Sequence, residues 1–421
     1  MRTEPYVYRG RFESCRSKSH AQRILILGAL SRKEVFIEHF VDSEMGDDVN
    51  YMLSAFQKMG YSFEMDDEGV LMKPPKRTAK YAHLEISIGE SGFGLRTFAS
   101  VLSHFCETYT LTGEKTILNR DHSGLIESIQ DIGFKVDSVE HQLPLKITSS
   151  DAFLNNLHVD GSQSSQFLSG LLMWGVACST EVHISATKLK SIPYIDLTLD
   201  TISQFNGKVN MKDYQGFMIP EGQHLQCERI SVEGDWSSMA FHLVGAALNG
   251  EVEIFGLSLD SKQADILVLN VLREFGANIE INEDYIKVSN KESKPFSVDL
   301  TNAPDLFPVL SILACGAHGP SRLTGKDRLI NKESNRLKSI CAMLEVFEVN
   351  YELTEYDILI NGTGRVKGGD IETFSDHRIA MSALCAATIS DTSICIDNVD
   401  CVQKSYRNYF NEMYGVFKNP C

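Results

Sequence analysis

The chain has 421 residues, 43% of them hydrophobic and 23% charged, with 30 Gly, 11 Pro and no low-complexity tract, so a globular protein of two domains is expected. A net charge of −16 argues against affinity built on neutralising nucleic-acid phosphates, and it makes any local gathering of Arg and Lys informative. No run of apolar residues approaches the roughly 20 of a membrane helix, the start Met1-Arg2-Thr3-Glu4-Pro5 lacks a charged stretch leading into an apolar core, and the ten cysteines show neither a C-x-x-C pair nor Cys/His ligand spacing, so a cytoplasmic protein with reduced cysteines, no metal site and no membrane or nucleic-acid partner is expected.

Taken in chain order, a strand is predicted over Pro5–Phe12, and Ser17-Lys18-Ser19 then opens a helix through Gln22–Leu30. Strand Val35–Phe40, helix Asp47–Gly60 and the strand pair Tyr61–Met65 and Val70–Lys73, joined by an Asp67-Glu68-Gly69 turn, complete a first unit. Alternating His83–Ile88 leads to a second opening, Ser91-Gly92-Phe93-Gly94-Leu95-Arg96, and a second helix closes at Gly133. Later openings are Ser164-Ser165-Gln166, Trp236-Ser237-Ser238, Ala303-Pro304-Asp305 and Ser375-Asp376-His377-Arg378. Their helices include Phe167–Val176, Met239–Leu248 and Ile379–Ala387, followed by Leu197–Gly207 and Ile266–Gly276; Phe347 stands in place of the closing Gly in unit five, and Gly415 serves unit six. The pattern thus recurs six times at a period of roughly 70 residues, which places six polar helix N-termini, natural anion sites, in equivalent positions.

One unit reads helix, strand, helix, strand, strand, with the last strand feeding the next opening. The sixth unit runs out near Val416-Phe417-Lys418 while the N-terminal strand has no unit of its own, so the N-terminus is expected to complete the last unit. Three units then form a domain over 17–231, and 1–16 with 232–421 form the second. Two crossings between them would make a hinge.

Chemistry concentrates at the openings. Lys18, Arg23, Arg96, Arg120, Lys332, Arg336, Arg378 and Lys404 lie at or near the openings and in loops of an acidic protein, four in each predicted domain. Taken singly, each reads as readily as a solvated helix cation or a charge run; if the openings face one another, the set suits substrates with several phosphate or carboxylate charges. Ser162-Gln163-Ser164-Ser165-Gln166 crowds more hydroxyls and amides at one helix start than a cap requires, which favours hydrogen bonding to a ligand. Asp305 and Glu333, carboxylates among cations, are the acid/base candidates.

With these residues the chain resembles the 5-enolpyruvylshikimate-3-phosphate synthase family over essentially its whole length. The resemblance is carried by Ser17–Arg23, Leu111-Thr112-Gly113-Glu114 with Arg120, Val159–Leu168, Ser191–Asp196, Val232–Asp235, Pro304-Asp305, Lys332–Arg336, Asp376–Met381 and Lys404. It implies an α/β (α+β) fold, a two-domain inside-out α/β barrel with three βαβαββ units in each domain. It also implies transfer of the enolpyruvyl group of phosphoenolpyruvate to the 5-hydroxyl of shikimate 3-phosphate, on the way to chorismate and the aromatic amino acids, in a monomer with no cofactor.

Carried over residue by residue, the resemblance puts Lys18, Ser19, Arg23, Ser164, Ser165, Gln166, Ser191, Tyr194, Asp305 and Lys332 on shikimate 3-phosphate. Lys18, Gly92, Arg120, Gln166, Arg336, Arg378 and Lys404 fall on phosphoenolpyruvate. Asp305 would take the hydroxyl proton, and Glu333, with Lys18, would handle the proton on the methylene carbon. Two positions depart from the family: Glu90-Ser91-Gly92-Phe93 stands where many members have Asn-Ala-Gly-Thr, and Arg328 where others have Asn. Glu90 and Phe93 are expected to add charge and bulk beside the phosphoenolpyruvate pocket and to weaken inhibition by glyphosate. The nearest alternative is UDP-N-acetylglucosamine 1-carboxyvinyltransferase, but the reactive Cys usual in that family is missing from Gly113–Gly124. An RNA 3′-phosphate cyclase would need a more basic surface.

Overall fold

The structure, a computed structural model, describes residues 1–40, 45–77, 79–150, 153–162, 164–330 and 332–418; Gln163 of the third opening lies outside them. Contacts divide the chain into two compact units, Lys18–Val232 and Met1–Ser17 with Glu233–Cys421. The sequence puts the crossings near 16 and 231, and the two segments run side by side, Ser17 N–H donating to Glu233 O (2.8 Å) and Asp235 N–H to Cys15 O (2.9 Å).

Unit Lys18–Val232 holds three four-stranded sheets of one pattern. In the middle one, Tyr81–Ser87 runs parallel to Cys106–Thr112, which pairs antiparallel with Gln142–Thr148, itself paired with Lys135–Val139. Asn156–Asp160, Val182–Thr187, Gly216–Ile219 and Asn210–Lys212 repeat the arrangement. The remaining sheet takes its leading strand from the far end of the unit: Arg229–Ser231 lies parallel to Val35–Glu38, with Arg229 opposite Phe36. Parallel neighbours need a crossover, and helices Lys18–Ser31, Gly92–Val101 and Gln166–Gly175 each occupy the span between such strands or units. These helices are apolar on nearly every side and are buried; Phe167–Gly175 has no exposed residue. The strands show the complementary pattern, Val182–Thr187 alternating buried and exposed. Helices therefore fill the inside and sheets form the outside.

The second unit repeats this. Tyr8–Glu13 leads Gly250–Phe255, and Ser297–Asp299 leads His318–Thr324, each followed by an antiparallel pair. The inner helices Trp236–Asn249, Phe307–Cys315 and His377–Ala386 pack on one another. The third sheet has three strands: Gly369–Ile371 runs parallel to Ile394–Ile396, and Arg2–Thr3 closes it antiparallel.

Three details differ from the sequence reading. A separate leading strand, such as Tyr81–Ser87 after Gly69–Lys73, precedes each inner helix and covers an edge that would otherwise be bare: four pair with the strand after the same helix, while Tyr8–Glu13 and Arg229–Ser231 exchange partners. The N-terminus supplies two strands rather than one, completing the sixth sheet with Arg2–Thr3 and leading the fourth with Tyr8–Glu13. Gly415 lies inside helix Tyr409–Lys418 and ends nothing. Gly276, by contrast, closes Val268–Phe275 with φ +97°, a left-handed turn that costs a residue without Cβ little.

Candidate active site

In unit Lys18–Val232 the first inner helix presents Lys18 at its start and Arg23 about one turn on. Lys18 Nζ lies 3.0 Å from Asp48 Oδ2, in the first turn of helix Asp47–Lys58. Arg23 is only 1% exposed. Its guanidinium donates to Ser19 O (2.7 Å), Thr198 Oγ1 (2.8 Å) and Tyr194 O (3.1 Å), and lies 4.5 Å from the centroid of the Phe93 ring. Tyr194 and Thr198 belong to helix Ile192–Gln204, which Ser191 precedes in a left-handed conformation (φ +54°).

Gln166 opens the third inner helix. Its N–H donates to Ser164 Oγ (3.2 Å), its Oε1 accepts from Arg96 Nη1 (2.7 Å), and Ser165 is buried at the cap position. Gly92 begins helix Gly92–Val101 behind Ser91, whose Oγ accepts from Gly94 N–H (3.0 Å) and from Gln22 Nε2 (3.1 Å). Arg120 Nη2 donates to Thr116 Oγ1 (2.9 Å). The structure shows what Glu90 and Phe93 touch. Glu90 turns onto Lys115 (3.2 Å) and the Thr116 hydroxyl (3.0 Å), and Phe93 is buried beneath Arg23, because a carboxylate gains from a cation and an aromatic face from a guanidinium.

The second unit gathers all six of its predicted residues into one ionic network. Asp305, in the turn Pro304–Leu306, meets Arg336 Nη1 (2.7 Å), Arg378 Nη2 (3.2 Å) and Lys332 Nζ (3.3 Å). Glu333 meets Arg336 Nη2 (2.5 Å) and Lys404 Nζ (3.7 Å). Arg336, with no exposed surface, is the hub, and its Nε donates to a third carboxylate, Asp376 (2.8 Å). Arg336 and Arg378 stand at the starts of helices Arg336–Val346 and His377–Ala386, capped by Asn335 and Asp376. Asp305 and Glu333 keep 24% and 20% of their side-chain surface exposed, so both remain reachable.

Burial opposes ionisation of Asp305, but Arg378, Lys332 and Arg336 outweigh it and hold the carboxyl well below the usual range. Glu333 is likewise held low against its burial, by Arg336, Lys404, His377 and Lys332. Lys332 is pushed down by burial, with Asp305 opposing, and so is Arg328, which stands in the field of Asp327 and Asp305. The unit thus holds two carboxylates on the ionised side inside a shell of cations.

Sequence reasoning passed over Asp48, Asp376 and Thr198 as partners. Asp376 stands in the segment Asp376–Met381, and Asp48 reads from sequence only as an acidic residue favourable to the helix dipole. Among the described residues no helix is long and apolar enough to cross a membrane, and no group of three or more His, Cys, Asp or Glu could hold a metal ion. The nine described cysteines are all free.

Helices enclosed by sheets in a repeated α/β unit, with cations and carboxylates at the helix starts, define a class of proteins built to act on small, multiply charged anions. The sequence matches EPSP synthase (3-phosphoshikimate 1-carboxyvinyltransferase) over residues 5–413, and the chain belongs to that family. It is 32% identical over 406 residues to the 3-phosphoshikimate 1-carboxyvinyltransferase of Methanocorpusculum labreanum, covering 94% of this chain and 93% of that protein. With the enzyme of the same name from Brachyspira hyodysenteriae it shares 32% over 404 residues, covering 95% and 94%. A solved EPSP synthase from Acinetobacter baumannii has the same fold, with a TM-score of 0.78 at 24% identity over 98% of this chain and 97% of that one.

Proposed function

We propose that the residues described above carry out the family reaction in this chain. The protein transfers the enolpyruvyl group of phosphoenolpyruvate to the 5-hydroxyl of shikimate 3-phosphate and releases phosphate. The observation that supports the residue roles is the ionic network around Arg336, which joins Asp305 and Glu333 to four cations.

Lys18, Ser19, Arg23, Ser164, Ser165, Gln166, Ser191, Tyr194, Asp305 and Lys332 take shikimate 3-phosphate. Lys18, Gly92, Arg120, Gln166, Arg336, Arg378 and Lys404 take phosphoenolpyruvate. Protonation of the methylene carbon leaves a cationic centre at C2. The 5-hydroxyl attacks it and gives its proton to Asp305, forming a tetrahedral phosphate ketal. Removal of a methyl proton then re-forms the double bond, and the C–O bond to phosphate breaks with its electron pair. Glu333 serves the carbon proton in both directions, and Lys18, paired with Asp48, is the second candidate for that role.

Both carboxylates are ionised while only protein cations surround them. Substrate anions on Arg336, Arg378, Lys332 and Lys404 cancel part of that field, so Asp305 and Glu333 bind protons more strongly when substrates are present. Phosphate release from phosphoenolpyruvate, assayed with shikimate 3-phosphate and separately with UDP-N-acetylglucosamine, tests the reading. Release is expected with the first acceptor alone; release with the UDP-sugar alone would overturn it.

A further inference from the structure

We infer that the segment Gly89–Gly94 sets the affinities for the two substrates separately, Phe93 by holding Arg23 and Glu90 by holding Arg120. The inference rests on the proposed assignment of Arg23 to shikimate 3-phosphate and Arg120 to phosphoenolpyruvate.

Arg23 donates hydrogen bonds to three neutral acceptors, two backbone carbonyls and the Thr198 hydroxyl. Such bonds lie near the plane of the guanidinium and set its direction within that plane. They resist tilting out of the plane poorly. Phe93 adds a restraint in that direction, since its ring centroid lies 4.5 Å from the Arg23 guanidinium carbon and the negative face of the ring attracts the cation. The ring is 8% exposed and belongs to the hydrophobic core of the unit, so the contact is largely desolvated.

Glu90 reaches Arg120 through one hydroxyl. Thr116 Oγ1 donates its only proton to Glu90 Oε1 (3.0 Å) and therefore presents lone pairs to Arg120 Nη2 (2.9 Å). Lys115 Nζ, 3.2 Å from the other oxygen of Glu90, keeps that carboxylate in place. Phe93 and Glu90 are thus positioning residues, three apart in sequence and directed at two different cations.

Steady-state constants for both substrates, with kcat and thermal unfolding, test this in the full-length protein. Phe93→Leu should raise KM for shikimate 3-phosphate by about 3–30-fold, with KM for phosphoenolpyruvate unchanged, the range set by the worth of a desolvated cation–π contact. Phe93→Tyr, which keeps the ring, should restore the wild-type value, and Phe93→Met replaces the Leu variant if that one unfolds. Thr116→Val and Glu90→Ala should raise KM for phosphoenolpyruvate alone by about 2–10-fold, the worth of one hydrogen bond, and Thr116→Ser should restore it. A merely structural role would lower kcat or the unfolding temperature and move both KM values together, and that result overturns the inference. Arg23→Lys and Arg120→Gln are measured in parallel. If each raises KM for its assigned substrate while the Phe93 and Thr116 variants leave both unchanged, the inference falls and the assignments stand. If either arginine variant shifts the other substrate instead, the assignment falls and takes the inference with it.

Discussion

Arg336 and Asp376 form an ion pair from which water is wholly excluded: Nε stands 2.8 Å from Oδ2, and neither side chain has any exposed surface. Asp376 also accepts from Arg378 N–H (3.0 Å), so one carboxylate both neutralises the hub of the network and caps the helix that carries the next cation. Asp376→Asn keeps the shape and much of the cap but withdraws the charge. Breaking a buried pair usually costs about 3–5 kcal/mol, and because Asp305 and Glu333 also face Arg336, the lower end is expected here. Urea unfolding measures the loss. A change below about 1 kcal/mol would mean that the other two carboxylates compensate fully.

Asp305 and Glu333 should fail in different ways when converted to amides. Asp305→Asn is expected to bind shikimate 3-phosphate yet lose turnover, because an amide keeps a hydrogen bond but cannot accept the hydroxyl proton. Glu333→Gln should lose turnover and also slow the exchange of solvent deuterium into the methylene of phosphoenolpyruvate. Losses of about 10²–10⁴-fold are the usual scale for a general acid or base. A Glu333→Gln enzyme with near wild-type kcat and a raised KM would leave Glu333 as a counter-ion and pass its role to Lys18.

The pH dependence should separate the empty enzyme from the loaded one. The carboxyls of Asp305 and Glu333 are held well below their ordinary values of 3.8 and 4.5 by neighbouring cations, and bound anions raise them. The acid limb of kcat, which reports Asp305 as base in the complex, is therefore expected at higher pH than the acid limb of kcat/KM, which reports the free enzyme. Coincident limbs would show that substrate charge does not reach these carboxylates.

Acid stability carries a separate signal from His242, buried between Tyr8 (2.9 Å) and Tyr406 (3.1 Å). Burial pushes its pKa down from 6.5 to about 3, so the unfolded chain takes up a proton that the folded one refuses. Stability from this group is complete above pH 6.5 and is lost as pH falls towards 3. The expected slope is at most about 1.4 kcal/mol per pH unit. His20, pushed down to about 3 by burial and then by Arg23, adds a second contribution in the same window. Urea unfolding at several pH values between 7 and 5 gives the slope, and His242→Phe, though less stable overall, should lose one proton from it. An unchanged slope would place the charged form of His242 inside the folded protein.

The repeat, the fold class and eight candidate cations were legible in the chain alone. Period, capping residues and the apolar character of helices such as Phe167–Gly175 are local properties, written in residues a few places apart. The resemblance added roles to these residues and brought in Ser191 and Tyr194, which the residue pattern alone did not single out. Only the tertiary structure decided which strands share an edge, because the partner of Val35–Glu38 lies at Arg229–Ser231 and that of Gly250–Phe255 at Tyr8–Glu13. It also decided where Glu90 and Phe93 point, and that Asp48 and Asp376 anchor Lys18 and Arg336. The ionisation of Asp305 belongs to the same class: it depends on cations at 332, 336 and 378, and a Coulomb field falls with distance in space, not with separation along the chain.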